Sequence, residues 1–123
     1  MVEEDLTRRI IGGAIAVHRH WGPGLYEEIY ERSLFRELSL EGLLVERQMT
    51  LPLVYRGEVI GDALRVDLLV EKRVVVEVKA ISSRQPIHES QLLTYLRLTG
   101  CRTGLLINFD ERVLTDGVKR LVL

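Results

Sequence analysis

Leu6, Ile10, Ala14, Val17 and Trp21 recur at spacings of four, four, three and four, the repeat of one buried face on an α-helix. The pattern predicts a first helix over about Asp5 to His20. Gly22-Pro23-Gly24 stops it, because two flexible residues there flank one that cannot donate a backbone hydrogen bond. A second stripe follows at Tyr26, Tyr30, Leu34 and Leu38, with Glu28, Arg32 and Arg36 facing away and Glu41-Gly42 at its end. The period then changes to two. Val45 and Arg47 belong to a first short strand and Leu51 to Tyr55 form the next, with Pro52 placing that stretch at an edge or a strand start. Arg56-Gly57 reads as a turn, Val59 to Val70 as a long or bulged strand, and Glu71-Lys72 as the turn into a strand over Arg73 to Ala80. These strands read as a β-meander. Pro86 suits a first helical turn and Glu89 complements the helix dipole, so a third helix is expected over about Pro86 to Leu98, closed by Gly100. The apolar stretch Gly104 to Phe109 reads as a buried strand, and Val113 to Val122 as a final short helix or strand.

The totals narrow what such a chain can do. Its 123 residues, 46% of them hydrophobic, suit one domain over residues 1–123 with one core of ordinary proportions. The apolar run Ile10 to Val17 is roughly half the span a bilayer requires and is flanked by Arg8, Arg9 and Arg19, so it is not a transmembrane helix. The acidic opening Val2-Glu3-Glu4-Asp5 is the reverse of the basic start of a secretory signal. A lone Cys101 cannot form an internal disulfide, which fits a reducing cytoplasm. With 17 basic and 18 acidic residues and a net charge of −1, no general positive field exists to hold nucleic acid. Any such contact must be local.

Chemistry concentrates on one hairpin. Along the strand over Arg73 to Ala80, Val74, Val76, Val78 and Ala80 share the inner face, while Val75, Glu77 and Lys79 point to the opposite one. Glu77 and Lys79 therefore project into one space. Asp67, ten residues before Glu77, joins them if the hairpin register allows. Two carboxylates with water and a backbone carbonyl form the hard oxygen environment that Mg²⁺ or Mn²⁺ prefers, and a lysine beside them can orient a nucleophile or stabilise developing negative charge. The spacing alone also fits a Glu–Lys pair on a solvated strand face, where exposed charges are common. In the third helix His88, Gln91 and Tyr95 fall on one stripe, which either faces a substrate or forms a half-buried boundary with Tyr95 in the core. His18 and His20 lie two apart on a helix and point to different sides, so they do not share a metal. Gly12-Gly13 and Gly22-Pro23-Gly24 lack the residues of a phosphate loop and read as packing and turn glycines; Cys101 reads as a small buried residue.

Gly24-Leu25-Tyr26-Glu27-Glu28-Ile29-Tyr30 resembles, through Gly24, Glu27 and Tyr30, the motif that names the GxxExxY protein family, which looks like a branch of the PD-(D/E)xK nuclease superfamily. The resemblance runs from about Arg8 to Lys119-Arg120. Arg65-Val66-Asp67-Leu68-Leu69-Val70 is similar to the superfamily's metal-binding Asp strand and Glu77-Val78-Lys79-Ala80 to its E-x-K strand. Pro86 to Leu96 resembles the family's third helix, with a Q-x-x-x-Y element at Gln91 and Tyr95. Val66 stands where the superfamily name has proline. The resemblance implies an α/β, three-layer restriction-endonuclease-like core, a mixed sheet flanked by helices in the order αα-ββββ-α-β. It implies Asp67, Glu77, the Val78 carbonyl and Glu27 as ligands of Mg²⁺ or Mn²⁺, Lys79 as the catalytic lysine, and Gln91 beside them. Tyr30, Arg84, His88, Gln91 and Tyr95 would contact a nucleic-acid substrate. A homodimer fits duplex cutting, since one small site cuts one strand. A module that keeps the fold without cleaving is the alternative.

Overall fold

Glu3, Glu4 and Asp5 open the first helix and Arg19 lies in its last turn, so charge of each sign sits at the dipole end that it complements. The structure, a computed structural model, describes residues 2–123; Met1, the first residue of the expected domain, lies outside them. Helix α1 spans Glu3–Trp21 and α2 spans Glu27–Leu40. Leu6, Ile10, Ala14 and Val17 of α1 are buried as the periodicity predicts, with Tyr30, Leu34 and Leu38 of α2 packed in the same cluster. Two stripe positions differ from expectation. Trp21 is 46% and Tyr26 83% exposed, because both lie beside the turn joining the helices, beyond the reach of the sheet. At Gly13 an added Cβ would meet Leu38 Cδ2 at 2.8 Å, so this glycine admits the close approach of α2.

The strands are β1 (Val45–Leu51), β2 (Val54–Tyr55), β3 (Glu58–Val59), β4 (Leu64–Val70), β5 (Val74–Lys79), β6 (Thr103–Asn108) and β7 (Val118–Val122), with α3 (Pro86–Thr99) between β5 and β6. The expected meander is not formed. β1 pairs with β4, and β2 with β3 makes a separate ribbon, so neither Leu51 to Tyr55 nor Val59 to Val70 is one strand. Five strands, rather than four, thus precede α3. The main sheet runs β1-β4-β5-β6-β7, antiparallel except for β5 and β6, which are parallel and joined through α3 as a parallel pair requires. The stretch Val113 to Val122 divides into a 3₁₀ turn, Leu114–Gly117, and β7.

Helices α1 and α2 cover one face of the sheet, meeting Leu68, Val70, Val74, Val76, Val78, Leu105 and Ile107. Helix α3 covers the other, where Leu92, Tyr95 and Leu96 meet Val66, Leu69, Val75 and Leu106. This is the expected three-layer α/β core with a mixed sheet. Each fully buried leucine contributes roughly 1.5–3 kcal/mol relative to exposure, so the two covered faces carry most of the stability.

Candidate carboxylate site at the open end of the sheet

The strands lose their regular alternation at one level. Val66 packs on the α3 side and Leu68 on the α1 and α2 side, although residues two apart in a strand should share a face. In β1 the same break separates Val45 from Met49 and Leu51. Gln48 lies between, with φ of 57°, a left-handed backbone that a non-glycine residue rarely adopts. Counting along the β1–β4 register sets Gln48 opposite Asp67, so both strands roll over together at Asp67.

The β4–β5 ladder ends at this point. Its last backbone pair is Leu68 with Val76. One step further, side chains replace backbone partners: the Asp67 N–H donates to Glu77 Oε1 at 3.1 Å, and the Val78 N–H donates to Asp67 Oδ2 at 2.8 Å. The two carboxylates are thereby interlocked across the opening strands. The Lys79 carbonyl accepts from the Phe109 N–H next to β6, so the Val78 carbonyl, one residue earlier, points the other way, toward Asp67. Glu77 is only 4% exposed, and Lys79 is half-buried on the same face.

Helix α2 supplies two further acids. Glu27 Oε2 accepts the Ala80 N–H at 3.3 Å, bringing the start of α2 to the end of β5. Glu31, one turn on, is buried beside Asp67 and accepts from Arg47 Nε at 2.7 Å and Gln48 Nε2 at 2.6 Å. The left-handed conformation of Gln48 thus accompanies a side chain directed at Glu31. Glu27, Glu31, Arg47, Gln48, Arg65 and Asp67 line one cleft of about 450 Å³.

Charge crowding is evident. Burial, and then the charge of Asp67, push the Glu77 carboxyl up to about 8, against the lowering effects of the Asp67 amide and Lys79. Burial followed by Asp67 likewise raises Glu31 to about 7, opposed by Arg47 and Gln48. On the α3 side, the phenol of Tyr95 is raised by burial and then by the charges of Glu77 and Asp67, so the ring borders the acids.

Of the residues singled out in the sequence, Asp67, Glu77, Val78, Lys79 and Glu27 meet at this end of the sheet, with Tyr95 adjoining. Others do not. Tyr30 is fully buried, stacked on Phe109 at 4.6 Å, and its hydroxyl accepts from the Leu25 N–H while donating to the Gly22 carbonyl. It clamps the turn between α1 and α2 instead of facing a substrate. The Nδ1 of His88 is engaged at the start of α3, accepting the Gln85 N–H at 3.2 Å. Gln91 is exposed, as is Arg84 in the preceding loop. Glu31, Arg47, Gln48 and Asn108 join the site although no sequence pattern singled them out. Asn108 is buried and holds the chain after β5, its Oδ1 accepting the Ile81 N–H at 3.0 Å and its Nδ2 donating to the Ile81 carbonyl at 2.9 Å. Glu31 carried a usable signal, since it lies four residues after Glu27 and three before Leu34 on the buried stripe.

Carboxylates, a backbone carbonyl and room for water are the donors that a hard divalent cation takes. Burial, and then the charge of Asp67, raise the Glu77 and Glu31 carboxyls, a cost that such an ion would relieve. The donor chemistry therefore fits. Among the described residues, however, no group of three or more His, Cys, Asp or Glu side chains gathers as a ready cage. The protein would supply two carboxylates and a carbonyl, with water completing the shell. No described helix is long and apolar enough to cross a membrane. A family model described as the PD-(D/E)XK nuclease superfamily matches residues 4–121. No curated protein and no solved structure matches the chain.

Proposed function

The chain belongs to the PD-(D/E)XK nuclease superfamily, and from that membership we propose that it is a GxxExxY-type enzyme hydrolysing phosphodiester bonds of nucleic acid with Mg²⁺ or Mn²⁺. Asp67, Glu77 and the Val78 carbonyl are the ligands in this reading, and Glu31 and Glu27 take part through water. The observation that carries it is the interlocked pair of Asp67 and Glu77 where the β4–β5 ladder opens, with Lys79 on the same face as Glu77. A bound ion would supply a Lewis acid and an activated water.

The remaining work falls to the protein's own groups. The Lys79 ammonium, two residues from Glu77 and free of a salt bridge among the described residues, has all three protons available to orient the attacking oxygen or offset charge on the phosphoryl group. Asn108 keeps β5 and the chain at Ile81 in register, which fixes where the Lys79 side chain leaves the strand. The bordering Tyr95 excludes water from the α3 side of Glu77.

Calorimetric titration with Mn²⁺ beside a nuclease assay tests the assignment. Asp67→Ala and Glu77→Ala are expected to lose both ion binding and cleavage, whereas Lys79→Ala keeps ion binding and loses turnover. Undiminished cleavage by Glu77→Ala would sink the site. A second reading, a module that keeps the fold without cleaving, is favoured by one observation: each central carboxylate already spends an oxygen on a backbone amide. Wild-type protein that binds no Mn²⁺ would support that alternative.

A further inference from the structure

We propose that the groove between α1 and α2 binds a single-stranded segment of nucleic acid, with Trp21 stacking on a base and Arg32 and Arg36 holding phosphates. The proposal rests on the phosphodiesterase reading and extends it along the substrate. The groove has a volume of about 540 Å³. Trp21 and His20 wall it from the end of α1, and Arg32, Ser33, Arg36 and Glu37 from α2.

Several features favour a strand with bases over any other occupant. An indole that is 46% exposed is a large apolar surface left in water, and this one is not loose. Its Nε1–H donates to Ser33 Oγ at 3.0 Å, and the His20 ring stands against it edge-on at 4.5 Å and 89°. The ring is therefore presented in a fixed orientation, which lowers the entropic cost of stacking a base. Arg32 and Arg36 are one helical turn apart, about 6 Å along the axis, on the same side of α2. Arg36 forms no salt bridge among the described residues, and the contact of Arg32 with Glu28 is long, at 3.9 Å, and exposed. Glu37 is the single acid of the lining, so two guanidinium groups outweigh it. A chain of net charge −1 has here a local cationic and aromatic surface, the pairing that holds single strands without reading sequence.

The groove and the carboxylate cleft share no lining residue, and Glu28 stands between them. Glu28 lines that cleft, and its carboxylate lies 3.7 Å from Arg47 on the cleft side and 3.9 Å from Arg32 on the groove side. A strand with one phosphodiester at Asp67 and Glu77 would leave the cleft over Arg32 and reach Trp21.

Trp21 is the only tryptophan in the chain, so its emission reports on the groove alone. Titration with unlabelled oligo-dT and oligo-rU at low salt, without divalent ion, is expected to quench it saturably. Anisotropy of fluorescein-labelled strands then ranks the variants. Trp21→Ala is expected to weaken binding at least about fivefold, and Trp21→Phe to recover most of the loss. Arg36→Ala and Arg32→Ala should each weaken binding and lower the salt dependence by about one phosphate contact. An abasic strand, with phosphates and no bases, should bind more weakly and leave the emission unchanged. Equal quenching by oligo-dT and oligo-rU would make the groove indifferent to the sugar, and quenching by one alone would name the strand. Cleavage by wild type with unchanged KM in both arginine variants and no quenching would overturn the groove and leave the nuclease reading intact. Quenching and variant effects without any cleavage would instead overturn the nuclease reading and leave the groove as a binding site.

Discussion

Replacing Glu77 with glutamine isolates the cost of holding a buried acid beside Asp67 where the strands open. The amide oxygen can still accept the Asp67 N–H that Glu77 Oε1 accepts at 3.1 Å, so Glu77→Gln keeps the shape and removes only the charge. The Glu77 carboxyl ordinarily titrates near 4.5 and is pushed up to about 8 in the fold, first by burial and then by Asp67. Below about pH 4.5 both folded and unfolded chains hold the proton. As the pH rises, the unfolded chain releases it while the folded chain does not. The folded state then binds more protons, so its stability falls with pH until the folded group has titrated, near pH 8. At about 1.4 kcal/mol per pH unit the full difference is about 5 kcal/mol, and water entering the cleft around the ionised carboxylate recovers part of it. A loss of roughly 2–4 kcal/mol between pH 5 and 9 is expected, or on the order of 8–15 °C in melting temperature. Thermal melts of metal-free protein across that range measure it. Wild type should lose stability steadily, with Glu31, which titrates at about 7, adding to the slope. Glu77→Gln should keep most of what wild type loses. Parallel profiles for the two proteins would refute the reasoning, because Glu77 would then ionise as if in water.

Mg²⁺ at about 10 mM, acting on a site with Kd near 1 mM, should stabilise wild type by roughly 1.4 kcal/mol, and Asp67→Ala should lose that response; melts in Na⁺ at matched ionic strength are the control. Asn108→Ala leaves the Ile81 amide and carbonyl without their partners and should cost about 2–4 kcal/mol in denaturant unfolding, whereas a loss under about 0.5 kcal/mol would show that water replaces the side chain there. Tyr30→Phe should cost about 1–2 kcal/mol through the turn from Gly22 to Leu25 and leave KM unchanged. A raised KM at unchanged stability would return Tyr30 to the substrate.

The helices were legible because their apolar stripes are continuous, and the stripe misled only at Trp21 and Tyr26, where the period outlasts the sheet beneath it. Periodicity reports which residues share a helix face without reporting how far the packing partner extends. Val59 to Val70 failed as one strand because apolar residues continue across Gly61, whose φ of 66° marks the turn. The placement of Glu77 and Lys79 on one face follows from the two-residue period of a strand, so it could be read without knowing the fold. Glu31 could not be read in the same way. Its burial depends on Arg47 and Gln48, which come from a strand 16 and 17 residues away. The left-handed backbone of Gln48 has no composition cue, because glycine or asparagine would be the usual resident.

Strand β1 ends the sheet, and a straight edge strand invites a second chain to add to it. Gln48 interrupts that invitation. Its reversed backbone breaks the outward row of amides and carbonyls, so an incoming strand meets two short pieces out of line with each other. Glu46 and Arg47, charged and immediately before the break, make the first piece less receptive still. Restoring a straight edge by redesigning this stretch would therefore have two costs. It would withdraw a donor from Glu31, and it would leave the protein open to edge-to-edge aggregation.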